Sequence, residues 1–301
     1  MNRAFLIPIA LAVVVSARAI QAQRPSATPY QVASGVYLIA EPTANMLVMV
    51  GADGPFVVGP PASSLVMKAR VLLASLHTPK PKYALITSGD SAVERRDGGW
   101  TKAGVLTVAH EGIRNKLRWL ALSDSSVLPD VPTFGFSQVF QIALNNDEVH
   151  AVYHPAGFSD ADVVVHFEGR HLLYMGNLFT TDGYPDLDLA RGGSIAGLIG
   201  TAKELLDLFE PSPRVVESIV PGRGPVATLR DLRDYHDMLV AVRGRIDTLL
   251  SAGKALDDVI GLRPTKEFDA RWGHGPIPSD RFTALVYRSL TSQKSAGRAN
   301  K

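Results

Sequence analysis

The chain has 301 residues, with 31 Lys and Arg residues against 29 Asp and Glu residues and a formal net charge of +2. This near-neutral balance argues against a nucleic-acid-binding surface, and the hydrophobic content of 46% excludes a disordered chain. Because the chain has no cysteine, disulfides, thiolate metal sites and cysteine nucleophiles are excluded, and any transition-metal site must use carboxylates and the eight histidines.

The first 22 residues have the pattern of a secretory signal peptide. Arg3 supplies a positive charge, residues 4–15 form an apolar run, and small residues around Ala19 and Ala22 offer cleavage sites. The run is short for a transmembrane span, and an uncleaved N-terminal anchor is the alternative. We therefore expect a signal peptide at 1–22, a linker at 23–30, and an exported protein, periplasmic or extracellular, with no membrane segment after cleavage.

Strand-like and helix-like segments alternate through one predicted domain, residues 31–291, and residues 292–301 are predicted as a disordered tail. Strands are predicted at 36–40, 46–50, 56–58, 83–86, 105–108, 138–144, 149–153, 163–167, 171–175 and 215–220. Helices are predicted at 65–76, 111–120, 195–209, 229–251 and 280–290, with Ser194 as the N-cap of the third. Two β-rich sets, each followed by helices, predict an α+β fold: an αββα sandwich with two sheets face to face and helices outside.

Four segments at predicted strand ends are the places where functional residues are expected, because loops on a rigid scaffold carry function. They are residues 84–99, 156–162, 174–179 and 220–226. The second contains Gly-Phe-Ser-Asp-Ala-Asp, the third Gly-Asn-Leu-Phe, and the fourth Pro-Gly-Arg-Gly-Pro.

Taken in order, these segments resemble the motifs of the metallo-β-lactamase fold superfamily over about residues 31–291. They are most similar to secreted hydrolase-like members of the quinoprotein-relay or sulfur-oxidation-associated type, whose motifs are T-H-x-H-x-D-H-x-G-G, H-T-D-G-D, G-D-L-F and P-G-H-G-P. The framework agrees at Thr87, Gly98, Gly99, Asp160, Asp162, Gly176, Leu178, Phe179, Pro221, Gly222, Gly224 and Pro225. The resemblance implies an αββα sandwich and, in the family's enzymes, a zinc pair with a metal-bound hydroxide as nucleophile.

The family's seven ligand positions carry side chains that are mostly unable to bind a metal. They are Ser88, Asp90, Ala92, Val93, Phe158, Asn177 and Arg223. Zinc needs three or four close His nitrogens or carboxylates, and of these residues only Asp90 binds a cation well. These residues are therefore predicted to line a pocket without the zinc cofactor that the family implies, and catalysis by zinc hydroxide is not expected. We further expect Arg223 to pair with Asp90 and to replace the charge of the metal.

Other candidate residues leave alternatives open. His150 and His154 share one face of a predicted strand, so they are either a separate metal pair or ordinary strand residues. Asp160 and Asp162 are either an acid–base pair or, as we favour, carboxylates that bind backbone amides of their own loop. Ser88 lacks the G-x-S-x-G pattern of a hydrolase nucleophile.

The sequence thus predicts an exported pseudoenzyme, a module that binds a small molecule or a periplasmic partner protein, with a degenerate zinc site and no catalytic residue assigned. The alternative is a metal-dependent hydrolase of esters, thioesters or lactams that uses unusual ligands such as Asp90, Asp160 or His154. The sequence is therefore compatible with an enzyme of metallo-β-lactamase-like hydrolase ancestry and with a protein that has no activity. No nucleic-acid partner is expected.

Overall fold

The computed structural model of the protein describes residues 28–87, 99–101, 103–212 and 215–299. The predicted signal peptide and most of the predicted linker lie outside these residues. Within them, the chain forms two β-sheets, one of seven strands and one of five. None of the described helices is both long enough and apolar enough to cross a membrane.

The first sheet has its strands in chain order and begins antiparallel, then becomes parallel from the fourth strand onward. Its strands are β1 Tyr30–Ala33, β2 Val36–Ala40, β3 Asn45–Met49, β4 Phe56–Gly59, β5 Tyr83–Ile86, β6 Leu106–His110 and β7 Phe134–Phe136. Two helices lie on its outer side, α1 Ser63–Ser75 and α2 Glu111–Ser123. A 3₁₀ segment, Ser125–Asp130, follows α2.

The second sheet is antiparallel except for its last pair of strands, which is parallel. Its strands are β8 Val139–Leu144, β9 Asp147–Tyr153, β10 Val163–Phe167, β11 Leu172–Thr180 and β12 Ser218–Arg223, in the spatial order β12-β11-β10-β9-β8. The helices that follow are α3 Ile195–Phe209, α4 Leu229–Ser251, α5 Leu256–Gly261, α6 Asp269–Trp272 and α7 Ser279–Ala299.

Side chains that alternate between the two faces of each strand divide the buried apolar residues into three cores. One core lies between the two sheets, and the other two lie between each sheet and its helices. Leu38 of β2 points into the core between the sheets, whereas its neighbour Ile39 packs with the helices of the first sheet. In the second sheet, Val163 and Val165 face the first sheet and Val164 packs with the helices on the other side. Because neighbouring strand residues point to opposite faces, these fully apolar runs require burial on both faces. The predicted αββα sandwich is therefore confirmed.

The long helices agree with the sequence because their periodicity and their caps are local. The bounds of α3 and α4 are those predicted, and the Ser194 hydroxyl accepts a hydrogen bond from the Gly197 N–H as the N-cap of α3. The strands β1 and β7 were not predicted. They are three or four residues long and lie at the two edges of the first sheet, so they leave little pattern to read.

The C-terminal segment differs from the prediction of a disordered tail at 292–301. Helix α7 continues to Ala299. The Lys294 ammonium lies 2.8 Å from the Asp247 carboxylate and 3.0 Å from the Ser251 hydroxyl, so that this segment is attached to α4. Residues 291–294 contain neither Gly nor Pro, so nothing in the sequence ends the helix where its apolar periodicity stops.

Candidate functional site

Three of the seven predicted pocket residues come together at one end of the second sheet. Phe158 lies in the loop between β9 and β10, Asn177 lies on β11, and Arg223 ends β12. They line one cavity of about 120 Å³, together with Thr43, Phe179, Thr180, Pro185, Asp186 and Gly222. The other four predicted residues, Ser88, Asp90, Ala92 and Val93, lie outside the described residues.

An irregular pairing of β11 with β12 shapes this pocket. Tyr174 is opposite Val220 and Thr180 is opposite Arg223, so β11 advances six residues while β12 advances three. The additional residues of β11 leave the regular ladder, and Asn177 is among them. A bulge of this kind bends a strand and redirects its side chains, which explains how Asn177 comes to line the cavity.

The Arg223 guanidinium is held by an ion pair beside the cavity. Its Nε donates to Asp182 Oδ1 at 2.6 Å, and Nη2 donates to the Tyr184 carbonyl at 3.3 Å. The Thr180 hydroxyl donates to the same Asp182 oxygen at 2.7 Å. The side chain of Arg223 is 16% exposed and that of Asp182 is 30% exposed, so the pair is shielded but in contact with solvent. The guanidinium is therefore fixed in position by its own chain.

The observed partner of Arg223 is Asp182, which the sequence did not predict. Asp90 lies outside the described residues, so its pairing with Arg223 stays a prediction. Asp182 follows β11 by two residues and is 41 positions from Arg223 in the chain. The sequence did contain a signal for Asp182, because this carboxylate lies in a loop just after a strand end, where functional residues are expected.

Asn45 holds the backbone of the Arg223 segment in place. Its Nδ2 donates to the Pro221 carbonyl at 2.9 Å and to the Gly224 carbonyl at 2.8 Å, and its own backbone carbonyl accepts from the Tyr174 hydroxyl at 3.0 Å. A buried amide with these contacts ties β3 of the first sheet to β12 of the second. The role of Asn45 leaves no local signal in the sequence, because its partners lie more than 170 positions away.

Glycines allow the two strand ends to come close. A Cβ on Gly222 would lie 2.4 Å from the Gly176 carbonyl oxygen and 2.9 Å from the Asn177 nitrogen. Atoms at those distances overlap, so only glycine permits β12 to pass this close to β11. The Gly-x-Gly and Gly-Asn patterns of the two loops therefore reflect backbone contact beside the cavity.

The loop that carries Phe158 is held by hydrogen bonds to main-chain atoms. The Asp188 N–H donates to the Phe158 carbonyl at 2.9 Å, and the Ser194 hydroxyl donates to the Ala156 carbonyl at 2.8 Å. Within the loop, the Ser159 N–H donates to Asp162 Oδ2 at 2.7 Å and the Ser159 hydroxyl donates to Oδ1 at 3.0 Å. The favoured interpretation of Asp162, a carboxylate that binds its own loop, is confirmed.

Asp160 and Asp162 occupy different environments and do not form a matched pair. The Asp160 side chain is 60% exposed and lies 3.6 Å from the Arg191 guanidinium. Asp162 is buried, and burial raises its pKa to about 7, against the hydrogen bonds from Ser159 and the charge of Arg191, which lower it. Neither residue is among those that line the Phe158–Arg223 cavity.

The Asp162 carboxyl group is expected to make the protein less stable as the pH rises from about 4 to about 7. Its native pKa of about 7 lies above its unfolded value near 3.8, so in this window unfolding releases a proton and higher pH favours it. Urea unfolding at several pH values measures the free energy of unfolding of Asp162→Asn relative to that of wild type. This difference is expected to increase by about 3 kcal/mol as the pH rises from about 4 to about 7. The matched control is Asp160→Asn; equal pH slopes for wild type and Asp162→Asn would contradict the expectation.

His110 and His154 have structural roles. His110 Nδ1 accepts from the Gly112 N–H at 3.1 Å and thereby caps α2, while its ring stacks on Tyr153 with centroids 4.1 Å apart. His154 is buried and lies 3.5 Å from the Glu204 carboxylate of α3. Burial lowers the pKa of both imidazoles. His154 lies one residue beyond the end of β9, and its partner Glu204 differs from the partners of His150, Glu148 and Glu168, so the predicted pair on one strand is not formed.

The fold is similar to that of several solved structures. The metallo-β-lactamase from Pontibacter korlensis is 15% identical, with a TM-score of 0.57, over 70% of this chain and 97% of that one. The chain has the metallo-β-lactamase fold. DIM-1 metallo-β-lactamase gives 13% identity and a TM-score of 0.57, over 70% of this chain and 95% of that one.

A larger relative of the same fold is the stereoselective inverting sec-alkylsulfatase Pisa1 from Pseudomonas sp., at 15% identity and a TM-score of 0.61. The match covers 87% of this chain but only 50% of the alkylsulfatase, so the chain spans about half the length of that protein. No protein-family model and no curated protein matches the chain. At 13–15% identity the likeness establishes the metallo-β-lactamase fold alone, and any function has to be argued from the residues of the site.

Proposed function

We propose that this metallo-β-lactamase-fold protein has lost the dinuclear zinc site and uses the remaining pocket to bind a small polar or anionic molecule. The observation that carries the proposal is Arg223, whose guanidinium is ion-paired with Asp182 at the edge of the cavity. In the family motif that Arg223 matches, this position holds a His ligand. A guanidinium has no lone pair to give a metal, and its permanent charge repels a dication.

The other pocket side chains support the same conclusion through their chemistry. Phe158 has no donor atom, and Asn177 offers a neutral amide where the family motif has a carboxylate. Ala92 and Val93 have no donor atoms either, whatever their positions. Such residues do not fit a dinuclear zinc site, which needs three or four nitrogen, sulfur or carboxylate ligands for each ion.

The same residues suit a small ligand with hydrogen-bond acceptors. The Arg223 guanidinium carries five N–H donors, and its two hydrogen bonds to Asp182 and Tyr184 leave others for a ligand. Asn177 adds an amide donor, while Phe158 and Pro185 supply an apolar wall. A volume of about 120 Å³ corresponds to about four water molecules, which sets the scale of the ligand to a short carboxylate or a similar ion.

The alternative, a metal-dependent hydrolase with unusual ligands, gains no support from the described candidates. Asp160 is paired with Arg191, and His154 is directed at Glu204. Neither residue lines the cavity. Asp90 lies outside the described residues, so the hydrolase remains an outcome that experiment must address.

The test uses side-chain NMR signals as reporters of the pocket. In a ¹⁵N spectrum of untagged, chelator-treated protein, the Arg223 Nε–H and Asn177 amide signals are assigned with Arg223→Lys and Asn177→Ala variants. Titration with a panel of short carboxylates, sulfate and phosphate is expected to shift both signals. Equimolar zinc is expected to leave them in place, because the pocket lacks the ligands that would bind the ion.

Two results would overturn the proposal. One is zinc that displaces both pocket signals at one equivalent. The other is hydrolysis of esters, thioesters or lactams that is lost on chelation and lost in Asn177→Ala. The Arg233→Ala variant serves as the control, because Arg233 pairs with Glu210 on an exposed surface.

Export is part of the proposal and is supported by the N-terminal pattern of Arg3, the apolar run and the small residues before Ala22. Expression of the full chain in a Gram-negative host, followed by fractionation and mass measurement, is expected to give a processed protein outside the cytoplasm. An unprocessed cytoplasmic protein would refute it.

A further inference from the structure

A cluster of three metal-ligating side chains lies on the second sheet, outside the pocket described above. Glu148 and His150 alternate along β9 on the same face, and Glu168 directly follows β10. One carboxylate or imidazole atom from each lies within 4.8 Å of the other two. Glu148 and Glu168 also line an open groove of about 700 Å³ with Asp53, so the two carboxylates of the cluster are reached from solvent.

The strand register places the two glutamates opposite each other. Val149 pairs with Phe167 and His150 pairs with His166, so the next position along the ladder sets Glu148 against Glu168. Like charges directly opposite on neighbouring strands repel and destabilise a sheet. The Gln141 amide donates to Glu148 Oε2 at 3.2 Å, which orients one carboxylate without neutralising it.

His150 completes the arrangement. Its Nε2 lies 3.5 Å from a carboxylate oxygen of Glu148 and 3.5 Å from one of Glu168. That atom is inaccessible to solvent, and it has no hydrogen-bond partner within the described residues. Both distances exceed the 2.7–2.9 Å typical of charge-assisted hydrogen bonds, so the imidazole nitrogen lies between the carboxylates without donating to either.

The spacing matches the ligand separation of a tetrahedral metal site. Zinc binds imidazole nitrogen and carboxylate oxygen at about 2.0–2.2 Å, and tetrahedral ligands at that radius are about 3.4 Å apart. The two observed separations of 3.5 Å agree with this value. Two carboxylates and one imidazole also form a donor set that transition dications prefer over magnesium, which favours oxygen alone.

We propose that Glu148, His150 and Glu168 form a mononuclear site for a transition dication, zinc in the first instance. The ion relieves the repulsion between the two glutamates, joins β9 to the end of β10, and takes water from the groove as its remaining ligand. This site is independent of the pocket around Arg223, so it stands or fails separately from the proposed function.

The experiment is a zinc titration of the chelator-treated, untagged protein by calorimetry, repeated with magnesium. Wild type is expected to bind one equivalent of zinc and to show no magnesium heat. Glu148→Gln and Glu168→Gln are each expected to weaken zinc binding by about tenfold or more, and His150→Ala is expected to abolish it. Zinc should also raise the melting temperature of wild type and leave that of His150→Ala unchanged.

The matched control is His236→Ala, because His236 lies beside the carboxylate of Asp237 and is not part of a three-ligand cluster among the described residues. It is expected to bind zinc as wild type does. Substituting cobalt gives a visible absorption band whose intensity reports tetrahedral geometry, and the band should disappear in Glu168→Gln. Zinc binding that persists in His150→Ala, or a wild type that binds no zinc, would overturn the proposal. Displacement of the Arg223 and Asn177 NMR signals would instead count against the proposed function.

Discussion

Replacing Arg223 with alanine is expected to lower the free energy of unfolding by about 2 kcal/mol. The change removes the countercharge that lies 2.6 Å from Asp182 and leaves that carboxylate in a partly shielded position. Loss of one member of a fully buried ion pair costs about 3–5 kcal/mol, and the 30% exposure of Asp182 reduces the figure. Urea unfolding followed by circular dichroism measures the change.

A double-mutant cycle separates the ion pair from the general loss of side-chain packing. Arg223→Ala, Asp182→Ala and the double variant are expected to show a coupling of about 1–2 kcal/mol. The exposed pair of Arg233 with Glu210 gives the comparison, with a coupling expected below about 0.5 kcal/mol. Additive effects of Arg223→Ala and Asp182→Ala would contradict the role of Asp182. The same cycle with Asp90→Ala tests the partner predicted from the sequence.

Substitution of Gly197 by alanine is expected to destabilise the protein by about 3 kcal/mol or more, whereas Gly200→Ala is expected to stabilise it by up to about 1 kcal/mol. Both glycines lie in α3, one helical turn apart. A Cβ on Gly197 would lie 1.7 Å from the Ala156 carbonyl oxygen, but a Cβ on Gly200 would meet no atom within 4 Å. The difference between the variants therefore isolates one backbone contact from helix propensity.

The close approach of Gly197 to the Ala156 carbonyl supports the pocket, because Ala156 and Gly157 immediately precede Phe158 in the same loop. We therefore expect Gly197→Ala to disturb the pocket as well as to lower stability, and the Asn177 amide signal should shift without any ligand. If Gly197→Ala does not fold, its soluble yield is compared with that of Gly200→Ala under identical expression. Equal stability of the two variants would show that α3 does not press on the Phe158 loop.

The parts of the molecule that follow local rules were predictable from the sequence. The bounds of α3 and α4 follow from helical periodicity and from hydroxyl caps at Ser194 and Thr228. The placement of Phe158, Asn177 and Arg223 in one cavity was also predicted, because the resemblance to the metallo-β-lactamase fold superfamily implied that these positions share a pocket.

The parts that depend on long-range register were not predictable in the same way. The contact between Arg223 and Asp182 depends on how β12 pairs with β11. The hydrogen bonds from Asn45 to the Arg223 segment depend on how β12 faces β3. Whether Glu148 lies opposite Glu168 depends on the register in which β9 pairs with β10. A shift of one position would place one of the two glutamates on the other face of the sheet. Composition does not specify such alignments, and periodicity fixes which face a residue occupies but not which residue it opposes.

The irregular pairing of β11 with β12 has a consequence for how this chain can change. The wall of the pocket is built from main-chain pairing, glycine contacts and the Asn45 amide, and none of these involves a bound ion. We therefore expect the side chains at positions 158 and 177 to be exchangeable while the backbone that presents them is kept, whereas exchange at position 223 also removes the ion pair with Asp182. If the pocket binds a small molecule as proposed, few substitutions should change its specificity, and the same backbone offers a cavity onto which metal ligands could be grafted.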